Sequence, residues 1–105
     1  MLRRAFAVLL TALAPSVALA SSDDAWEEMR ADVAARCAQA AAGSIEAPET
    51  IVDPYGSENF SLALVYGKPK GAEGRIVQIC VYDKQTQAVE LGSELTGDEL
   101  RGIAD

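Results

Sequence analysis

Two cysteines, Cys37 and Cys80, are the only thiols of the chain and stand 43 residues apart. In a short exported chain an even cysteine count reads as a disulfide framework, and two cysteines allow one intramolecular pairing. Redox pairs sit as Cys-x-x-Cys, and this spacing is nothing like that, so the pair reads as a structural staple. Closing a loop of this length stabilises a fold by about 3–4 kcal/mol in the chain-entropy view. That is a large contribution where the core is marginal for want of chain length. The element carrying Cys37 must therefore pack on the element carrying Cys80.

The oxidising compartment is indicated by the first twenty residues. Arg3 and Arg4 form a positive region, Ala5–Ala14 is an apolar run, and Pro15 breaks it. Ala18-Leu19-Ala20 then supplies small residues at the −3 and −1 positions of a signal-peptidase site, ahead of Ser21-Ser22. This is the order of a secretory signal. The uncharged stretch Ala5–Ala20 falls short of the roughly 20 residues that span a bilayer, and no cysteine follows it to take a lipid. The expected organisation is a cleaved signal over residues 1–20 and one domain over residues 21–105. Losing Arg3 and Arg4 takes the formal charge from −7 to −9. No later stretch is apolar enough to span a membrane. The Arg- and Ala-rich leader points to the bacterial periplasm, with full secretion left open.

Composition narrows the function classes. With no histidine, the chain has no imidazole ligand or acid–base catalyst. Sixteen acidic against nine basic residues leave no patch to grip a phosphate backbone, so nucleic acid is excluded as a partner. Neither Ser-x-x-Lys nor Gly-x-Ser-x-Gly occurs. The acidic pairs Asp23/Asp24, Glu27/Glu28 and Asp98/Glu99 are adjacent, so on a helix they diverge and suit the macrodipole better than catalysis. Residues around Asp53, Ser57, Glu58 and Asn59 fit no EF-hand spacing. The expectation is a protein that is not an enzyme, with no cofactor and no metal.

Residues 23–42 are the clearest helix, with Trp26, Met29, Val33, Cys37 and Ala40/Ala41 three or four apart on one face. Asp24 with Glu27 has the form of a capping box, and Gly43 is a natural stop. Asp32 and Arg36 form an i,i+4 pair. Extended segments follow at 49–53, 59–66, 75–82 and 87–91, separated by Asp53-Pro54-Tyr55-Gly56, the Gly67–Gly74 loop and Asp83-Lys84-Gln85-Thr86. Thr96-Gly97-Asp98-Glu99 is a second capping box and opens a short tail helix with Leu100 and Ile103. The predicted fold is α+β: one N-terminal amphipathic helix on a small three- to four-stranded antiparallel sheet, with a single disulfide and a short C-terminal helix.

The strand over 75–82 is apolar on both faces. If Cys80 points at the helix with Ile76, Gln78 and Tyr82, then Val77, Ile79 and Val81 face away. Their expected neighbours across the hairpin are Ser61, Ala63 and Val65. Two-sided strands normally have both faces buried. Three arrangements would account for this one: a C-terminal tail (Leu95, Leu100, Ile103) folded back over it, a partner surface, or a β-bulge that flips the parity near Cys80. The partner would be another envelope protein or a second copy of the chain. Lys68 and Lys70, with Arg75, put a basic tip beside this face as a second candidate contact. A small-ligand or ion-binding pocket between helix and sheet, walled by Trp26, Phe60 and Tyr66, is the alternative reading.

The helix–strand–strand–strand order resembles the PepSY domain, a small extracytoplasmic module. The residues that carry the likeness are the Ala-rich helix ending at Ala41-Ala42-Gly43, the extended Phe60–Tyr66 segment, and Val81-Tyr82-Asp83-Lys84-Gln85-Thr86-Gln87-Ala88-Val89. The last is similar to that family's closing V-x-D-x-x-T-G-x-V hairpin, with Gln87 in place of the glycine. The resemblance implies a binding or peptidase-regulating module and carries over no catalytic residue.

Overall fold

A computed structural model describes residues 22–104. The expected signal segment, residues 1–20, lies outside the described residues. Helix α1 (Asp23–Ala41) is followed by strands β1 (Ile45–Val52), β2 (Phe60–Pro69), β3 (Ile76–Asp83) and β4 (Val89–Thr96), and by a short helix α2 (Gly97–Ala104). The strands form one antiparallel meander in the order β1-β2-β3-β4, and α1 lies across one face. This is the α+β arrangement that the periodicity predicts.

The N-cap of α1 lies two residues before the expected Asp24–Glu27 capping box. Ser22 is the N-cap, with extended backbone and a hydroxyl that accepts from the Ala25 amide at 3.1 Å. Asp23 and Asp24 therefore sit in the first turn, where carboxylates complement the helix dipole. The buried side of the helix is Val33, Cys37 and Ala41, with Met29 packed beside them. These are mostly small side chains, so the helix sits close to the sheet. The Cys37–Cys80 disulfide joins α1 to β3 with the two Cα atoms 6.0 Å apart, and both cysteines are fully buried.

The face assignment of β2 is the main correction. β2 and β3 pair in an unbroken register with Ala63 opposite Cys80, Ser61 opposite Tyr82 and Val65 opposite Gln78. Residues directly opposite in a ladder share a face. Ser61, Ala63 and Val65 therefore lie under α1 with Cys80, not on the outer side. Ala63 and Val65 are 4% and 0% exposed, in one core with Ile45, Ile76 and Tyr82. The disulfide fixes the helix over the centre of the sheet, and the β2 residues directly beneath it, Ser61, Ala63 and Val65, are small. The larger Leu62 and Leu64 take the opposite face beside Val81 and Ile79.

Both edge strands carry bulges. In β1 the register shifts between Glu46 and Glu49, where Ala47 has φ +46 and Pro48 follows. Gly67 lies opposite, and a Cβ there would meet the Ile45 side chain at 2.7 Å. In β4 the register shifts opposite Ile79, taking up Gly92 and Ser93. The parity flip considered for β3 thus falls on β4. It leaves Val89 and Leu91 on the helix side and brings Leu95 opposite Val77 on the outer side. Gln78 closes this region beneath the helix. Its Nε2 donates to the Gly92 carbonyl at 3.0 Å, and its Oε1 accepts from the Ser44 hydroxyl at 3.1 Å.

Two expected outcomes follow. Replacing Cys37 and Cys80 together with alanine lowers unfolding free energy by about 3–4 kcal/mol in urea titration. Because both cysteines are buried, mild reductant leaves the native protein intact until the fold opens. Second, Gln87 has φ +67, the left-handed conformation that glycine adopts without cost. Gln87→Gly raises stability by about 0.5–1 kcal/mol, read as a higher urea midpoint. It gives up a contact from Arg36 to Gln87 at 3.5 Å, the limit of a hydrogen bond, and the Gln87 side-chain amide beside the Tyr82 hydroxyl.

Candidate interaction surface

The face of the sheet away from α1 is built from three in-register apolar rows. Ile51, Leu64 and Ile79 are cross-strand neighbours at its centre. Tyr66, Val77 and Leu95 form the row toward the β2–β3 hairpin, and Leu62 and Val81 the row toward the other end. Ile51 is 57% exposed and Ile79 is 45% exposed, among the most open large apolar side chains of the described residues. Ile51, Pro54, Leu62, Leu64 and Ile79 line an open depression of about 400 Å³ whose walls are almost wholly apolar. Single exposed apolar residues are ordinary, but a contiguous face of this kind marks an interaction surface.

The tail leaves the centre of this face open. α2 packs against β4, and Ile103 is 82% exposed. Thr96 and Glu99 cap α2 reciprocally: the Glu99 carboxylate accepts from the Thr96 amide at 2.8 Å, and the Thr96 hydroxyl from the Glu99 amide at 3.3 Å. Of the sequence-derived candidates, Ile79 and Val81 are open on the outer face, Val77 is on that face but buried between Tyr66 and Leu95, and Ala63 and Val65 are in the core. Leu62, Leu64, Ile51 and Leu95 replace them. Lys68 lies toward the hairpin end and pairs with Glu46 at 3.5 Å, while exposed Lys70 gives its amide to the Ser44 carbonyl at 2.9 Å. Arg75 stacks over Tyr66 at 5.7 Å, and the Tyr66 hydroxyl donates to Glu49 at 3.3 Å.

The three aromatic residues expected to wall a ligand pocket do not converge. Trp26 is on α1 and meets Tyr55 edge-on, ring centroids 5.0 Å apart. Phe60 and Tyr66 are near opposite ends of β2 on the outer face. Trp26 instead helps to pin the β1–β2 loop: Lys84 Nζ lies 5.4 Å from its ring and donates to the carbonyls of Tyr55 and Ser57. Among the described residues no group of three His, Cys, Asp or Glu is placed to hold a metal ion, and no helix is long and apolar enough to cross a membrane.

One titratable cluster sits at the helix–sheet seam. The Tyr82 hydroxyl donates to Asp32 Oδ2 at 2.5 Å, and Arg36 Nε donates to the same carboxylate at 2.9 Å. These bonds, Tyr82's first, hold the Asp32 carboxyl below its ordinary range, while burial and the Asp32 bond push the Tyr82 hydroxyl up to about 12. The cluster ties α1 to β3 at a partly solvent-exposed seam, where Glu28, Lys84 and Gln87 line the same shallow depression. A depressed carboxyl stabilises the fold above its unfolded pKa and loses that contribution as pH falls through the folded value. A raised phenol stabilises below its unfolded pKa and loses its contribution as pH rises through the folded one. Asp32→Asn should therefore cost about 1 kcal/mol near neutrality, with the deficit closing below about pH 4. Tyr82→Phe should flatten the alkaline decline between about pH 10 and 12. Urea midpoints across pH check both.

No protein-family model matches the chain, and no curated protein or solved structure is significantly similar to it, so the case for a function rests on the outer face itself.

Proposed function

We propose that this protein is a non-catalytic binding module of the bacterial periplasm, accessory or inhibitory to another envelope protein, and that it works through the outer face of its sheet. The observation that carries the reading is the contiguous apolar surface of Ile51, Leu62, Leu64, Ile79 and Val81, on a sheet whose other face is covered by α1. The staple between Cys37 and Cys80 and the leader-like first twenty residues support an oxidising, extracytoplasmic setting. The PepSY-like order of elements points the same way. Strand addition fits the structure less well than docking on the face. Both edges are bulged, and β1 carries Pro48, which are the devices that keep sheet edges from pairing.

The test is cross-linked capture from intact envelopes with the tagged protein. Wild type should recover one stoichiometric partner. Ile79→Asp should lose it with an unchanged far-UV spectrum, and Ile103→Asp, whose site is exposed on α2 away from the centre of the face, should retain it. Equal capture by Ile79→Asp, or recovery of the protein without any partner, would overturn the reading.

A further inference from the structure

Resting on that reading of the outer face, we infer that its occupant is a cationic amphipathic segment of another protein: an apolar stripe flanked by lysine or arginine. The charge pattern carries the argument. The central rows hold no charge, and carboxylates border them on both sides. Glu49 belongs to β1 and Asp53 follows it, while Asp83 ends β3 and Glu90 is opposite Val81 on β4; Glu46, also on β1, is paired with Lys68. The two bases on this face are both at the hairpin end, and both are engaged: Lys68 with Glu46, Arg75 over the Tyr66 ring. Asp53 also lines the apolar depression, so the pocket that would take an anchoring side chain has a carboxylate on its rim.

Potentials across an interface are matched in sign, and like charges brought together oppose docking. A second copy of this chain would bring the same acidic rim and a strongly negative formal charge, −7 with the leader-like segment, against its equal. An anionic lipid surface is disfavoured for the same reason. A basic-flanked apolar segment satisfies both parts of the surface at once. Its stripe covers Leu64 and Ile79 with one side chain in the depression, and its flanks reach Glu49 on one side and Glu90 on the other.

The probes are three synthetic peptides of about 18 residues, ~27 Å long as a helix and so matched to the length of an eight-residue strand. One is a Leu/Lys amphipathic helix, one its Leu/Glu counterpart, and one the Lys peptide with every Leu replaced by Ser. Amide chemical shifts of the purified protein report the site and the affinity. The Leu/Lys peptide should bind with shifts centred on Ile51, Leu64 and Ile79, about tenfold more weakly at high salt than at low. Ile79→Asp and Ile51→Asp should each weaken it about tenfold although each adds a negative charge, which a non-specific attraction would turn into tighter binding. Glu49→Gln with Glu90→Gln should weaken it and flatten the salt response. Equal binding of the Leu/Glu or Ser peptide, shifts confined to α1, or tighter binding by Ile79→Asp would overturn the inference. So would a dimer in sedimentation equilibrium that Ile79→Asp dissociates. An envelope partner lost with Ile79→Asp, together with failure of the Leu/Lys peptide, would overturn the cationic chemistry and leave the docking reading standing.

Discussion

The rest of the structure depends on the covalent tie between Cys37 and Cys80. It joins the C-terminal part of the only long helix among the described residues to the third strand, inside a core made of few and mostly small side chains. Val33 and Ala41 sit on the same helix stripe above and below Cys37, so the tie also sets the helix's rotation. Beneath the helix, β2 presents Ser61, Ala63 and Val65 to the disulfide-bearing core. The bulkier alternate residues of β2 are left on the far side. A link that holds one layer together thus decides what the other surface exposes.

Much of this was legible in the sequence where the signal is local. The three-to-four spacing from Trp26 to Ala41 placed α1, and alternation placed the core of β2 and β3. The face of β2 was not legible, because alternation says which residues share a face and leaves open which face it is. Pairing register decides that, and register is a relation between strands across the Gly67–Gly74 loop. The bulges were missed for a related reason. Pro48 and Gly92 read locally as strand breakers, yet β1 and β4 run through them, since an edge strand tolerates a residue without a partner. That is why 49–53 and 87–91 were expected where Ile45–Val52 and Val89–Thr96 are found. The candidate surface was half legible: Val77, Ile79 and Val81 followed from the parity of Cys80 alone, whereas Leu62, Leu64, Ile51 and Leu95 required the ladder.

The two edges and the one open face show opposite treatment. Each edge has an extra residue, and the β1 edge has a proline and a non-glycine residue at positive φ. Positive φ costs such a residue about 1 kcal/mol or more, a cost tolerated where the bulge it permits prevents uncontrolled strand pairing. The centre of the open face has no comparable protection: no lysine, no inward charge, no covering helix. Charge is confined to its rim. An apolar surface guarded only at its border excludes like-charged neighbours while staying available to a complementary one, which is how selectivity is obtained without weakening the contact itself.

A one-helix, one-sheet domain of this size buries a single apolar layer and would ordinarily be marginal. Here the disulfide contributes about as much as a modest additional core would, by restricting the unfolded chain rather than by adding contacts. That lets the second face of the sheet remain uncovered without loss of the fold. An occupant of the face then acts as a second layer supplied from outside. Since it binds the folded state alone, its affinity adds to stability by mass action, about 2.7 kcal/mol when it is present at a hundred times its dissociation constant. The staple and the open surface are in this sense one arrangement: the covalent bond stabilises the protein enough that the apolar face need not be buried for the chain to fold.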